Sequence, residues 1–582
     1  MKKSKSSHER LSPSSRRSFL SQVGGATAAT IAASVANQPA VAQTTSNLEA
    51  IKQQAVLEAT DSDPNRVVKA YTCRVNAANL ALQRPLVEQR SNGDDDRYLT
   101  KIGSYTKALP HNQLGEVDLN AYATLVKART TQNPDDFELI KLGLGRKLTS
   151  PQAGLAMDLE GPDSHHVLLP PAPRFDSAEE AGEMVELYWM SLARDVHFSD
   201  YDNDPIIAAA AADLSRLSDF RGPRDNARTT LSAQLEAAPT LSALRGRRGS
   251  GAVTSRTIFR NSTSGDISGP WLSQFLTLDF SFGANAFSQK MKTLPAGVDY
   301  MTKYQDWLEV QNGADPSGNI QYDPTPRYIR NLRDMSQWVH VDALYQAYLQ
   351  ACLILLGQGT RLDPGLPLYD SKVQAGFAQC GGPHVLSLVT EVATRALKAV
   401  WYQKWFVHHR LRPEEFGGRV HNHMTRAANY PIQSDVLNSR AIAEVYRKYG
   451  TYLLPMAFPE GSPTHTSYGS GHATVAGACA TVLKAFFDET DVIKNPMVPN
   501  ATGAALVPYL GSALTVGGEL NKVASNVANA RNGAGVHWRT DAVNSLKLGE
   551  AVAIGILEEQ KLTYNDDVQM TLTKFDGTKI TI

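Results

Sequence analysis

Cysteine is scarce in this chain: Cys73, Cys352, Cys380 and Cys479 are the four in 582 residues, and their spacing matches no zinc pattern. A cysteine-bound metal is thereby excluded, and Cys479, inside ATVAGACATVLKAFF, reads as a small buried thiol. Excess charge is missing as well. Fifty-eight basic residues balance 58 acidic ones, so nothing global favours nucleic acid or an anionic lipid surface, and any anion site must come from local clustering. Beyond the N-terminal segment no stretch approaches the roughly 18 uninterrupted apolar residues of a membrane helix; a soluble mature protein without a membrane partner is expected. Clean strand alternation is rare, and no repeat of solenoid period is visible.

What is present in abundance is helical periodicity, with 42% hydrophobic residues to fill a core. Apolar residues recur at three- and four-residue spacing over 179–195, 341–356, 385–405, 439–449, 473–487, 518–531 and 540–559. The fold class is therefore mainly α. The first forty or so residues read as an address: a basic stretch, then Ser15-Arg16-Arg17-Ser18-Phe19-Leu20, a mild Ala/Gly/Thr segment, and Ala40-Val41-Ala42 before Gln43. That order resembles a twin-arginine export signal over 1–42, implying a periplasmic or secreted bacterial protein. The mature chain is expected to divide into an N-terminal α-helical region, 43–328, and a C-terminal one, 329–582, after the turn-rich joint 315–328. The Gly/Arg/Ser stretch 244–256 reads as a solvated loop rather than a nucleic-acid contact.

The candidate chemistry falls in three clusters of the C-terminal region. Lys404 and Arg412 bracket KWFVHHRLRP at the end of the 385–405 helix; Pro413 disfavours helix at Arg412, so the helix is expected to stop there with both cations on one side. Thr466–Ala473, TSYGSGHA, sets a glycine-rich turn and His472 at the start of a helix. Arg531 and Gly533 close another helix, and His537 and Asp541 stand one turn apart at the start of the next. Each has an ordinary local explanation as dipole complement, cap or helix stop. Jointly, three cations, free amides at a helix N-terminus and two histidines are what a multiply charged tetrahedral oxyanion requires.

The order Lys404…Arg412-Pro413, Ser470-Gly471-His472 and Arg531-x5-His537-x3-Asp541 resembles the signature shared by vanadium-dependent haloperoxidases and the type 2 phosphatidic acid phosphatases. The Lys-to-Arg interval is eight, one longer than in the phosphatases and fungal chloroperoxidases, and resembles that of algal bromoperoxidases. So do RPEEFGG, EGSPTHTSYGSGHA and GGELNKVASNVANAR, and the likeness extends back to about Glu179. Two departures stand out. Gly469 replaces the usual proline and is expected to loosen the turn; Ala530 replaces a frequent serine and removes at most one hydrogen bond to the anion.

The resemblance implies helical bundles of the vanadium haloperoxidase and acid phosphatase type in one compact subunit, binding one vanadate. In this scheme His537 ligates vanadium, and Lys404, Arg412, Arg531, Ser470 and the Gly471 N–H hold the oxygens. His472 is the acid–base group, Lys404 also assists the peroxide oxygen, His465 tunes His472 or the halide's approach, and Asp541 orients His537 or an arginine. The partners are hydrogen peroxide, halide (bromide, iodide, with chloride left open) and small organic acceptors, and a homo-oligomer from dimer to dodecamer is implied. A structural calcium finds no support in the residues. Trp401, one helical turn before Lys404, forms either an apolar wall beside the site or part of the core, while His408, His409, His421 and His423 read as polar surface or capping groups. An acid phosphatase using His537 as phosphoryl acceptor remains the alternative, and an oxyanion-binding protein without turnover a more distant one.

Overall fold

The computed structural model describes residues 64–225 and 251–582; the export signal and most of the Gly/Arg/Ser stretch lie outside them. The chain divides at Asn79 into two compact units. Of the first, the described residues 64–79 are helical. The second, Leu80–Ile582, has regular structure that is mostly helical, joined by long loops; its sheets, among the described residues, are three two-stranded antiparallel hairpins.

Eight helices position the functional residues: α1 Ala178–Leu192, α2 Leu332–Val341, α3 Gln346–Gln358, α4 Gly382–Tyr402, α5 Pro413–Met424, α6 Gly471–Phe486, α7 Val516–Gly533 and α8 Arg539–Lys561. At the centre lies α6, packed against α8, α4 and α7. Every residue of α6 except His472 is buried, as expected of a helix apolar on all sides. Two glycines let α6 and α8 approach closely. A Cβ on Gly477 would lie 2.0 Å from the Leu546 carbonyl oxygen, and one on Gly549 would lie 1.9 Å from that of Thr474. This contact fixes the N-terminus of α6 against the start of α8, where His537 and Asp541 stand.

Two expected helices are built differently. The helix expected over 341–356 begins only at Gln346: Val341 closes α2, residues 342–345 turn the chain, and α2 and α3 meet at 101°. Asp342 is extended (φ −67°, ψ 151°) and its carboxylate reaches His472, so the corner carries a long-range partner that periodicity does not reveal. The helix over 385–405 does not run on to Arg412 either. The α-helix ends at Tyr402, Gln403–His408 continue as a π-helical turn, and His409 is left-handed at φ 50°. Arg412 is the N-cap residue of α5, with Pro413 in its first turn. A π turn holds one residue more than an α turn, so the longer interval between Lys404 and Arg412 is taken up locally.

Candidate active site

Each charged group of the site is set by a cap or a turn. Ser470 caps α6, its Oγ accepting from the Ala473 N–H at 3.3 Å. That uses an acceptor lone pair and leaves the hydroxyl proton to donate elsewhere. The amides of the first turn of α6, Gly471 included, have no carbonyl four residues back within the helix. The preceding loop is held on all sides: Tyr468 donates to the Pro170 carbonyl (2.7 Å) and accepts from Asn544 (2.9 Å), and Ser545 Oγ accepts from the Ser470 N–H (2.9 Å). Gly469 does not loosen it. A Cβ there would lie 2.4 Å from Ser545 Oγ and 2.8 Å from Leu169 Cδ1, so the position is crowded rather than slack.

Around this N-terminus the three predicted cations gather. Lys404 donates to the Thr466 and Ser467 carbonyls at 2.8 and 3.0 Å. Arg412 donates through Nε to the His465 carbonyl (2.9 Å), and through Nη1 to the Val536 carbonyl (2.7 Å) and to His537 Nε2 (3.0 Å). Its Nη2 lies 2.9 Å from His465 Nδ1. Glu415 fixes the Arg412 backbone, accepting from its N–H at 2.7 Å and from the Thr106 N–H at 2.8 Å. Arg531 donates Nη1 to the Val339 carbonyl at 2.7 Å, and its Nε is buried without a partner among the described residues.

Lys404 and Arg412 are 0% exposed and Arg531 4%. Four other buried cations, Lys107, Arg194, Arg410 and Arg539, sit on carboxylates. None of these three does among the described residues. Burial holds Lys404 well below the usual lysine range, with Arg412 and Arg531 adding to the effect against Asp541. Burial likewise pushes Arg531 down to about 10, against the pull of Asp342. A buried cation without a counter-charge is costly, so this cluster fits a bound anion.

The histidines complete the arrangement. His537 Nδ1 lies 2.8 Å from Asp541 Oδ2, which places the ring proton there and leaves the Nε2 lone pair among the cations. Burial holds His537 well below its ordinary range, followed by Arg412, Lys404, Arg531 and His472; the ring is neutral and its neighbours are the predicted ones. The same causes keep His465 neutral, burial first, then Lys404, Arg412 and His537. His472, the more exposed member with 15% of its side chain open, has Nε2 3.0 Å from Asp342 Oδ1. Burial and Arg531 lower it while Asp342 raises it, with a net fall. Trp401 is half-buried, its ring 4.8 Å from that of His465 and 5.6 Å from the Lys404 ammonium. It lines the site rather than sitting inside the core.

The structure therefore brings together Lys404, Arg412, His465, Ser470, Gly471, His472, Arg531, His537 and Asp541. Asp342 was not legible in the sequence, because nothing within VHVDALYQ links it to the distant SGH. Glu415 was also missed, although a carboxylate at the third position of a helix that opens with proline was a signal that could have found it. His408 and His409 are not surface groups. They are 5% and 2% exposed, His408 with its ring centroid 4.7 Å from that of Tyr468 and His409 with Nδ1 3.0 Å from the Tyr122 hydroxyl. Their cover comes from segments far away in the sequence. His421 and His423 are half-buried in the last turn of α5 and cap no helix: each accepts a loop N–H at 3.2 Å, that of Tyr452 and that of Tyr430.

Comparison with known proteins agrees with this geometry. Residues 385–565 match the family model described as the VCPO second helical-bundle domain. Vanadium-dependent bromoperoxidases of Corallina pilulifera and Corallina officinalis are each 38% identical over 90% of this chain and 99% of their own length. That of Ascophyllum nodosum is 34% identical over 88% of this chain and 91% of its own. The homohexameric structure of the second vanadate-dependent bromoperoxidase of Ascophyllum nodosum superposes with a TM-score of 0.82 at 28% identity, covering 90% of this chain and 92% of that one. An anion cradle of three cations without ion-pair partners among the described residues around a neutral histidine, on a chain alike with these enzymes over about nine-tenths of its length, has one family home: the chain belongs to the vanadium-dependent bromoperoxidases.

Proposed function

We propose that this protein oxidises bromide and iodide with hydrogen peroxide, using vanadate as cofactor, and that the oxidised halogen is passed to small organic acceptors. The observation that carries this reading is the set of buried cations, Lys404, Arg412 and Arg531, facing the His537 Nε2 lone pair with no carboxylate in ion-pair contact among the described residues. One vanadate per subunit would be held by His537 Nε2 on the metal. Lys404, Arg412, Arg531, the Ser470 hydroxyl and the Gly471 N–H would be on its oxygens. When bound, it supplies a Lewis-acidic vanadium(V) centre that polarises peroxide towards attack by halide.

The chain's own residues do the rest. Asp342 accepts from His472 Nε2, which leaves Nδ1 of that ring to take the proton of the incoming peroxide. Lys404, its ammonium aimed by the Thr466 and Ser467 carbonyls, neutralises charge on the reacting oxygen. His465 positions Arg412 through Nδ1 and, with Trp401, walls the halide's approach. The resemblance supports export to a bacterial periplasm and assembly as a homo-oligomer. The test is to incubate metal-free protein with vanadate, peroxide and bromide plus a chromogenic halogen acceptor, and in parallel with an aryl phosphate without vanadate. Vanadate-dependent halogenation suppressed by phosphate is expected; ester cleavage without halogenation would instead make His537 a phosphoryl acceptor.

A further inference from the structure

On the side of Asp541 away from His537 stands a second buried charge cluster that the reaction as described does not use. Arg410 is 1% exposed. Its Nη1 donates to Asp541 Oδ1 at 2.9 Å and to Thr540 Oγ1 at 2.8 Å. Its Nη2 donates to Glu180 Oε2 and, at 3.0 Å, to Glu183 Oε2. Glu183 also accepts from the Thr540 N–H at 2.9 Å and from the Thr540 hydroxyl at 3.0 Å. One turn further along α1, Glu186 pairs with Arg539. Three carboxylates at three-residue spacing thus place one face of α1 against the start of α8.

Asp541 is the shared member. Its Oδ2 accepts from His537 Nδ1, the Trp538 N–H at 3.1 Å and the Ser467 hydroxyl, while its Oδ1 accepts from Arg410. Without Arg410 one carboxylate oxygen would lose its charged donor and its anchor. The Arg410 guanidinium is itself fixed, lying 4.7 Å from the Trp538 ring centroid and clamped by Glu180 and Glu183.

We infer that Arg410, clamped by Glu180 and Glu183 of α1, is a positioning residue that locks Asp541 and thereby sets how strongly His537 Nε2 binds vanadium. Such outer partners orient a histidine, fix its tautomer and raise its basicity, and their loss typically costs about 10–100-fold in metal affinity. The clamp lies outside the matched domain, since α1 precedes residue 385; the N-terminal half of the protein thus acts on the cofactor through it.

This inference rests on the proposed vanadate site, and two oxyanions separate the two. Vanadate is held by His537 as well as by the cations, whereas phosphate, lacking a ligand bond to His537, is held by the cations and the start of α6 alone. The dissociation constants of orthovanadate and inorganic phosphate are to be measured by equilibrium dialysis for the wild type, Arg410→Lys and Glu183→Gln, with melting curves alongside. Glu183→Gln serves if Arg410→Lys does not fold, because an amide N–H₂ in place of either oxygen faces a donor and releases the guanidinium. The expected result is vanadate binding weakened about 10–100-fold with phosphate binding within about twofold of wild type. A parallel loss of both anions, as a merely structural role would give, or no loss of either, overturns the inference. Failure of the wild type to bind vanadate overturns the parent reading instead.

Discussion

Replacing Arg531 by methionine should change the ranking of stability according to whether the anion is present. In the metal-free protein Arg531 is charged and buried with no carboxylate in ion-pair contact among the described residues. Its fall to about 10 corresponds to a cost of about 3 kcal/mol for keeping the charge at neutral pH. Methionine removes that cost but leaves the Val339 carbonyl without its donor, at about 1–3 kcal/mol. Without anion the variant is therefore expected to be as stable as the wild type or up to about 2 kcal/mol more so. Vanadate at about a hundred times its dissociation constant adds about 2.7 kcal/mol to the wild type. For a unit of about 500 residues that raises the melting point by about 2–3 °C. Losing one charge-assisted contact weakens binding about 10–100-fold, so at the same concentration the variant should gain less than about 1.5 °C. Scanning calorimetry in phosphate-free buffer, with and without vanadate, reads both effects. A variant clearly less stable than wild type without anion, or one with the same vanadate shift, would refute the claim that Arg531 is an uncompensated cation awaiting an oxyanion.

His472→Ala should leave vanadate affinity within about twofold while bromide oxidation falls by about 10²–10⁴; retained turnover would remove His472 from proton transfer. Because burial and Arg531 hold His472 below its ordinary value, its base form is present at neutral pH, and kcat/KM for peroxide should decline only as pH falls through that lowered value. Asp342→Asn removes the carboxylate that opposes the fall, so the acid limb of the profile should move to lower pH; an unmoved or raised limb would count against the pair. Trp401→Ala, which opens the wall beside His465, should reduce the ratio of chloride to bromide turnover, and an unchanged ratio would confine Trp401 to packing.

The helices around the site were largely legible because their apolar spacing is local: α6, α7 and α8 each begin and end within two residues of the ranges read from periodicity. The site residues were legible for another reason, since Lys404, Arg412, Ser470, Arg531 and His537 lie in short motifs whose local uses do not account for their coincidence. What escaped was whatever depends on segments far apart. Asp342 is recognisable only once α2 stops beside His472; the burial of His408 and His409 depends on residues such as Tyr122, nearly three hundred positions earlier. Periodicity also cannot distinguish an α turn from a π turn in an apolar stretch, and it started α3 five residues early, at Val341, because Val341 and Leu344 of the corner fall in step with the apolar residues of the helix that follows.

The π turn at Gln403–His408 changes how the spacing of this signature should be counted. If an added residue is swallowed by one wider coil of backbone, the number of letters between the lysine and the arginine stops being a ruler for where their charges lie. Searches that demand a fixed gap would discard chains whose cradle is intact. Protein engineers shortening this interval by one should find that the coil tightens into ordinary helix before the two cations part.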